Sequence, residues 1–95
     1  MTNEQVQVVS HLAELNDKLM KSSEKEELIG LIQEAYRISV EVHPLRFQSK
    51  HSALDALERI SVRLKTEENL NNIIHEKNQT FLTIKMLMSS FGEIK

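Results

Sequence analysis

The chain contains no cysteine and no tryptophan, and only one proline, two glycines, three phenylalanines and one tyrosine in 95 residues. Without cysteine there is no disulfide framework and no thiolate zinc site. So few turn-forming residues argue against a chain of short strands. An excess of charge of one sign is also lacking: 12 Lys and Arg against 14 Asp and Glu leave a net charge of −2. General nucleic-acid binding needs a basic stripe that displaces phosphate counterions, and composition supplies none. Long hydrophobic runs are missing as well. The longest, such as Met86-Leu87-Met88, span two or three residues, so no segment is expected to cross a bilayer. The N-terminus, Met1-Thr2-Asn3-Glu4-Gln5, has an acid and no base before its apolar residues, unlike a secretory signal. The expectation is one cytoplasmic domain spanning 1–95.

What is present is helical periodicity. Val8, Leu12, Leu15 and Leu19 step by four, three and four, and Leu28, Leu31, Ala35, Ile38 and Val42 keep the same interval, broadened by Ile32 and Ser39. A third stripe runs through Ala53, Leu57, Ile60 and Leu64, and a fourth through Leu70, Ile74, Phe81, Ile84, Met88 and Phe91. Each is one-sided and must be buried against another. Thr2-x-x-Gln5 and Ser23-x-x-Glu26 read as capping boxes, with weaker versions at Ser52-x-x-Asp55 and Thr66-x-x-Asn69. Acids follow two of these starts, Glu24, Glu26 and Glu27 in one and Glu67 and Glu68 in the other, where the helix dipole favours them. His43-Pro44 stops the second helix, and Gly92 follows the last. The pattern predicts helices at about 3–21, 24–42, 52–65 and 67–91. Short connections make them an all-α, antiparallel up-down four-helix bundle. Leu45 and Phe47, in the longer connection 44–51, are expected to tuck onto the bundle end.

Chemistry is sparse. The four histidines, at 11, 43, 51 and 75, lie neither three nor four residues apart, and His11 with Glu14 falls short of a catalytic metal's three ligands. The carboxylates sit at helix starts, there is no Gly-rich phosphate loop, and Ser22 and Ser23 are explained by capping. The reading is a non-enzyme without metal or cofactor. The most informative stretch is 80–91. One stripe of it suffices for the bundle, yet Leu82 and Met86 form a second apolar face. Surplus apolar groups mark contact surfaces, and Met packs adaptably there.

With the helices placed, the chain resembles the bacteriocin immunity proteins of the enterocin A and pediocin type. The likeness covers nearly the whole chain through loose motifs: Val8-Val9-x-x-Leu12-x-x-Leu15, then Glu27-Leu28-x-x-Leu31-Ile32-x-x-Ala35-Tyr36, a Pro-containing connection, and Leu54-x-x-Leu57-x-x-Ile60-x-x-x-Leu64. Leu64-Lys65-Thr66-Glu67-Glu68-Asn69 is similar to the Thr-x-Glu-Glu start of the family's last long helix. The resemblance implies a monomeric cytoplasmic bundle without catalytic residues. It would protect its cell from a class IIa pore-forming bacteriocin by recognising the toxin-bound mannose phosphotransferase permease, in peripheral contact with the membrane. Specificity in the family is attributed to the C-terminal half, which points here to Phe81, Leu82, Lys85, Met86, Phe91 and Ile94. The slightly acidic balance departs from many relatives, which are basic. Competing expectations are a helical secretion chaperone or adaptor that binds a partner helix in a groove between its own helices, and a regulatory anti-factor that docks on a transcription protein.

Overall fold

In the computed structural model, which describes residues 2–92, four helices run in chain order: α1 (Asn3–Lys21), α2 (Lys25–Ser39), α3 (Phe47–Thr66) and α4 (Leu70–Phe91). They form an antiparallel up-down bundle. α1 packs on α2 and α4, and α3 on the same two, so α1 and α3 occupy one diagonal without meeting. The molecule measures 40 × 23 × 21 Å.

Local chemistry explains most of the boundaries. The Thr2 hydroxyl accepts from the Gln5 N–H while the Gln5 side chain accepts from the Thr2 N–H, closing the expected capping box. The Ser23 box does not form; α2 starts from Glu24 with no side-chain cap. α2 also stops at Ser39, short of the expected 42, and the chain loosens into a turn over 40–42 before Pro44, where the Lys50 ammonium takes up the Val40 and Val42 carbonyls. α4 begins at Leu70 rather than 67. Thr66 remains in α3, and three residues make the turn, with the Asn69 side chain accepting from the Asn71 and Asn72 N–H groups. Gly92 follows α4 in extended backbone.

The largest departure is at α3, which starts at Phe47 and not at 52. The polar run Gln48-Ser49-Lys50-His51 reads as loop, yet it contains neither Pro nor Gly and forms the helix's first turns. Lys50 points inward, and its Nζ donates to the carbonyls of Val40 (2.8 Å) and Val42 (2.7 Å). Leu45 and Phe47 do not tuck in: they are 59% and 71% exposed, while Pro44 is buried in their place. The Phe47 ring instead stacks on His51 at 6.2 Å.

The C-terminal end of each helix is closed by a cation from another part of the chain. Lys77 of α4 donates to the carbonyls of Met20 (3.1 Å) and Ser22 (2.6 Å) at the end of α1. Lys50 closes α2, and Lys25 of α2 reaches the Glu67 carbonyl at the end of α3 (2.9 Å). Arg46 closes α4 by donating to the Ser89 carbonyl, with the Leu45 and Arg46 N–H groups on that of Ser90. Orphan carbonyls and the negative dipole end favour a positive charge at each of these places.

The core is formed by Val8, Leu12, Leu15 and Leu19 of α1, Leu28, Ile32 and Ala35 of α2, Ala53, Leu57, Ile60 and Leu64 of α3, and Ile84, Leu87 and Phe91 of α4. Three stripes lie close to where the periodicity put them. That of α4 is rotated toward Thr80 and Leu87, and Leu70 and Ile74 are exposed. Lys77 is level with the end of α1, so the first turns of α4 run past α1, where Leu70 and Ile74 stay exposed while Ile73 packs on the core.

Candidate functional site

The outer face of α4 carries the surplus apolar pair. Leu82 is 58% and Met86 38% exposed, one turn apart on a helix whose buried side is fixed by Thr80, Thr83, Ile84 and Leu87. The two threonines satisfy themselves, donating to the Glu76 and Gln79 carbonyls at 2.8 and 2.7 Å, so the inner face needs no polar partner. Leu82 and Met86 are thus not left over from a failed core. They stand outside a complete one.

Beside this pair a groove of about 430 Å³ opens between α4 and α1. Phe81, Lys85 and Met88 line it from α4, and Ala13, Asn16 and Asp17 from α1. Phe81 is half-buried, and the Lys85 Nζ lies 4.8 Å from its ring centroid, a cation–π contact that holds the ammonium at the groove's edge. Asp17 and Lys85 give the two walls opposite charges. Asn16 is 5% exposed; its Nδ2 donates to the Phe81 carbonyl at 3.3 Å, and its Oδ1 is buried without a partner.

Of the residues that the sequence singled out, the structure brings Phe81, Leu82, Lys85 and Met86 together. Phe91 does not join them: it is fully buried, and its ring closes the core near the Lys50 ammonium, 5.7 Å from the centroid. At i+7 from Ile84 it falls on the inner stripe, so it acts as a packing residue. Ile94 lies outside the described residues. Asn16 escaped sequence reasoning, although its position one turn after Leu12 and before Leu19 places a polar group at the edge of an apolar stripe.

A second groove, about 550 Å³, lies between α2 and α3, with Tyr36, Val40 and Val62 among its lining residues. Hydrogen bonding from the Arg37 guanidinium holds the nearby Glu34 carboxyl below its ordinary value. On α3, the His51 Nε2 sits 3.7 Å from the Asp55 carboxylate. Among the described residues no group of three His, Asp or Glu side chains could hold a metal ion. No described helix is long and apolar enough to cross a membrane. Set against known proteins, the chain matches no family model, no curated protein and no solved structure.

Proposed function

We propose that this protein is an immunity protein against a class IIa bacteriocin. It acts as a cytoplasmic monomer that recognises the toxin-bound mannose phosphotransferase permease from the inner side of the membrane, touching the membrane without inserting. The observation that carries the reading is the exposed Leu82–Met86 pair on a helix whose own core is already complete, next to a groove with a charge on each wall. Such a surface suits recognition of a partner, with Met supplying adaptable packing. The number and order of the helices, which resemble those of the immunity family, supply the identity of that partner; Thr66-Glu67-Glu68, expected to open the last helix, lies instead at the end of α3 and in the turn after it.

The test is protection of living cells. A bacteriocin-sensitive Gram-positive host expressing the chain is challenged with a panel of class IIa bacteriocins. Survival against one or a few members is the expected result. Uniform sensitivity, with soluble protein verified in the cells, removes the reading. The α2–α3 groove favours a second reading, an adaptor that binds a partner helix between Tyr36, Val40 and Val62. It predicts that Val62→Asp abolishes co-purification with one defined partner while Leu82→Ala has no effect.

A further inference from the structure

We infer that the end of the bundle formed by the α2–α3 connection rests against an anionic lipid surface, with the Leu45 and Phe47 side chains entering the headgroup region on either side of Arg46. The inference rests on the reading of the protein as one that acts at the inner side of a membrane, and it names the end that faces the lipid.

Leu45 and Phe47 are exposed because they are held out, not because the connection is loose. The segment around them is pinned from three helices. The Gln5 Nε2 of α1 donates to the His43 carbonyl (2.8 Å), and the Lys50 ammonium of α3 to those of Val40 and Val42. Toward α4, the Leu45 and Arg46 N–H groups donate to the Ser90 carbonyl (2.8 and 3.0 Å) and Arg46 Nη1 to that of Ser89 (3.0 Å). Phe47 is the most exposed large apolar side chain among the described residues, and its ring is steadied by the stack on His51. Exposed apolar groups rimmed by polar residues mark protein or membrane contacts, and groups already held in place lose little freedom on making one.

Charge selects the lipid. Residues 42–54 contain Arg46, Lys50 and two histidines and no acid. α3 begins among them with no side-chain cap and no acid in its first turn, so its positive dipole end adds to that sign. The acids that flank this stretch are engaged elsewhere: Asp55 faces His51 at 3.7 Å, and Glu41 lines the α1–α2 groove with Arg37 and His11. Large apolar side chains on either side of a base fit the boundary of headgroups and acyl chains, where the apolar parts leave water and the guanidinium stays among phosphates. Two such side chains and one exposed base give a weak, reversible contact that leaves the helices outside the bilayer. The orientation also serves the outer face of α4. Ser89 and Ser90 lie at this end, and Met86 and Leu82 follow within about 14 Å of Phe91 along the helix axis, beside whatever part of a membrane protein projects from the bilayer. A second copy of this chain fits less well as the occupant, because two side chains and a turn fall short of the roughly 1,200 Å² that a stable pair buries.

The experiment uses the full chain with vesicles of phosphatidylglycerol mixed with phosphatidylcholine, and with vesicles of phosphatidylcholine alone. Binding is read by co-sedimentation, and the contact is mapped by NMR as line broadening from a nitroxide-labelled lipid. Broadening is expected to centre on Leu45, Arg46, Phe47 and His51, and binding to the anionic vesicles to be at least about fivefold tighter than to the neutral ones, as one base near the surface provides. Leu45→Ser/Phe47→Ser should bind the anionic vesicles at least about tenfold more weakly, with a thermal midpoint within a few degrees of the unmodified chain because both side chains are exposed. No binding, equal binding to the two kinds of vesicle, or undiminished binding by the double variant overturns the inference. So does broadening centred on Leu82 and Met86 or on Leu70 and Ile74, or a response of the 45–51 signals to protein concentration without lipid. The outcome is separable from that of the protection assay, since neither toxin nor permease is present. Protection without vesicle binding removes the lipid contact and keeps the immunity reading; vesicle binding without protection keeps the contact and removes immunity.

Discussion

Ser39 Oγ and Asn16 Oδ1 are the two buried side-chain atoms without a hydrogen-bond partner among the described residues. An unmade hydrogen bond costs the desolvation of the group, on the order of 1–3 kcal/mol. Ser39 is fully buried near the end of α2 and has no second role in the structure. Ser39→Ala is therefore expected to raise stability by about 1 kcal/mol, read as a higher urea midpoint at unchanged slope. Lys50 is the opposite case, a buried cation that is fully engaged. Burial pushes its ammonium below the ordinary lysine value. In the alkaline range below that value the unfolded chain binds more protons than the native state, so this group makes stability rise with pH there. Lys50→Met should lower stability at neutral pH by about 1–3 kcal/mol through the uncapped Val40 and Val42 carbonyls. It should also flatten the alkaline rise, which urea unfolding across a pH series would show. The burial of Ser39 was legible, since it falls on the α2 stripe; the role of Lys50 was not. Lys50 sits in a run of polar residues, and only the fold shows that it points at the end of α2.

At the scale of the element, the apolar stripes of α1 and α3 were readable because each is flanked by strong local signals or made of large aliphatics at unbroken spacing. α4 was readable in extent but not in rotation. Its stripe mixes Thr80, Thr83 and Ser90 into the buried side and leaves Leu70 and Ile74 outside, and hydropathy alone reads both choices backwards. What decides is where α1 ends, a fact of packing and not of spacing. Truncation should follow burial. Leu57→Ala, Ile60→Ala and Phe91→Ala are each expected to cost about 2–5 kcal/mol, and Leu82→Ala less than about 0.5 kcal/mol, by thermal or urea unfolding. The four cations at the helix ends make a second prediction. Lys77→Met should cost about 0.5–2 kcal/mol and speed amide exchange in the last turn of α1, leaving the centre of that helix protected.

Over the whole molecule, charge is divided unevenly along the chain. Residues 1–45 hold eight acids and four bases, a net of −4, and residues 46–95 hold six acids and eight bases, a net of +2. The half that carries Leu82, Lys85 and Met86 is thus the cationic one, although the chain as a whole is slightly acidic. That overall balance hid the asymmetry from a reading of net charge. The bundle architecture itself was legible, since four stripes with short connections leave few other solutions. The contact surface was half legible: excess apolar residues in 80–91 pointed to α4, while the wall supplied by Ala13, Asn16 and Asp17 depends on which helix lies beside it.

The most direct test of the account compares the unmodified chain with the double variant Leu82→Ala/Met86→Ala in the bacteriocin challenge, with the thermal midpoint of each measured on purified protein. The account predicts protection by the unmodified chain, loss of protection by the variant, and midpoints within a few degrees of one another. Undiminished protection by a variant lacking both side chains, or a collapse of its stability, would contradict the claim that this face of α4 meets the partner.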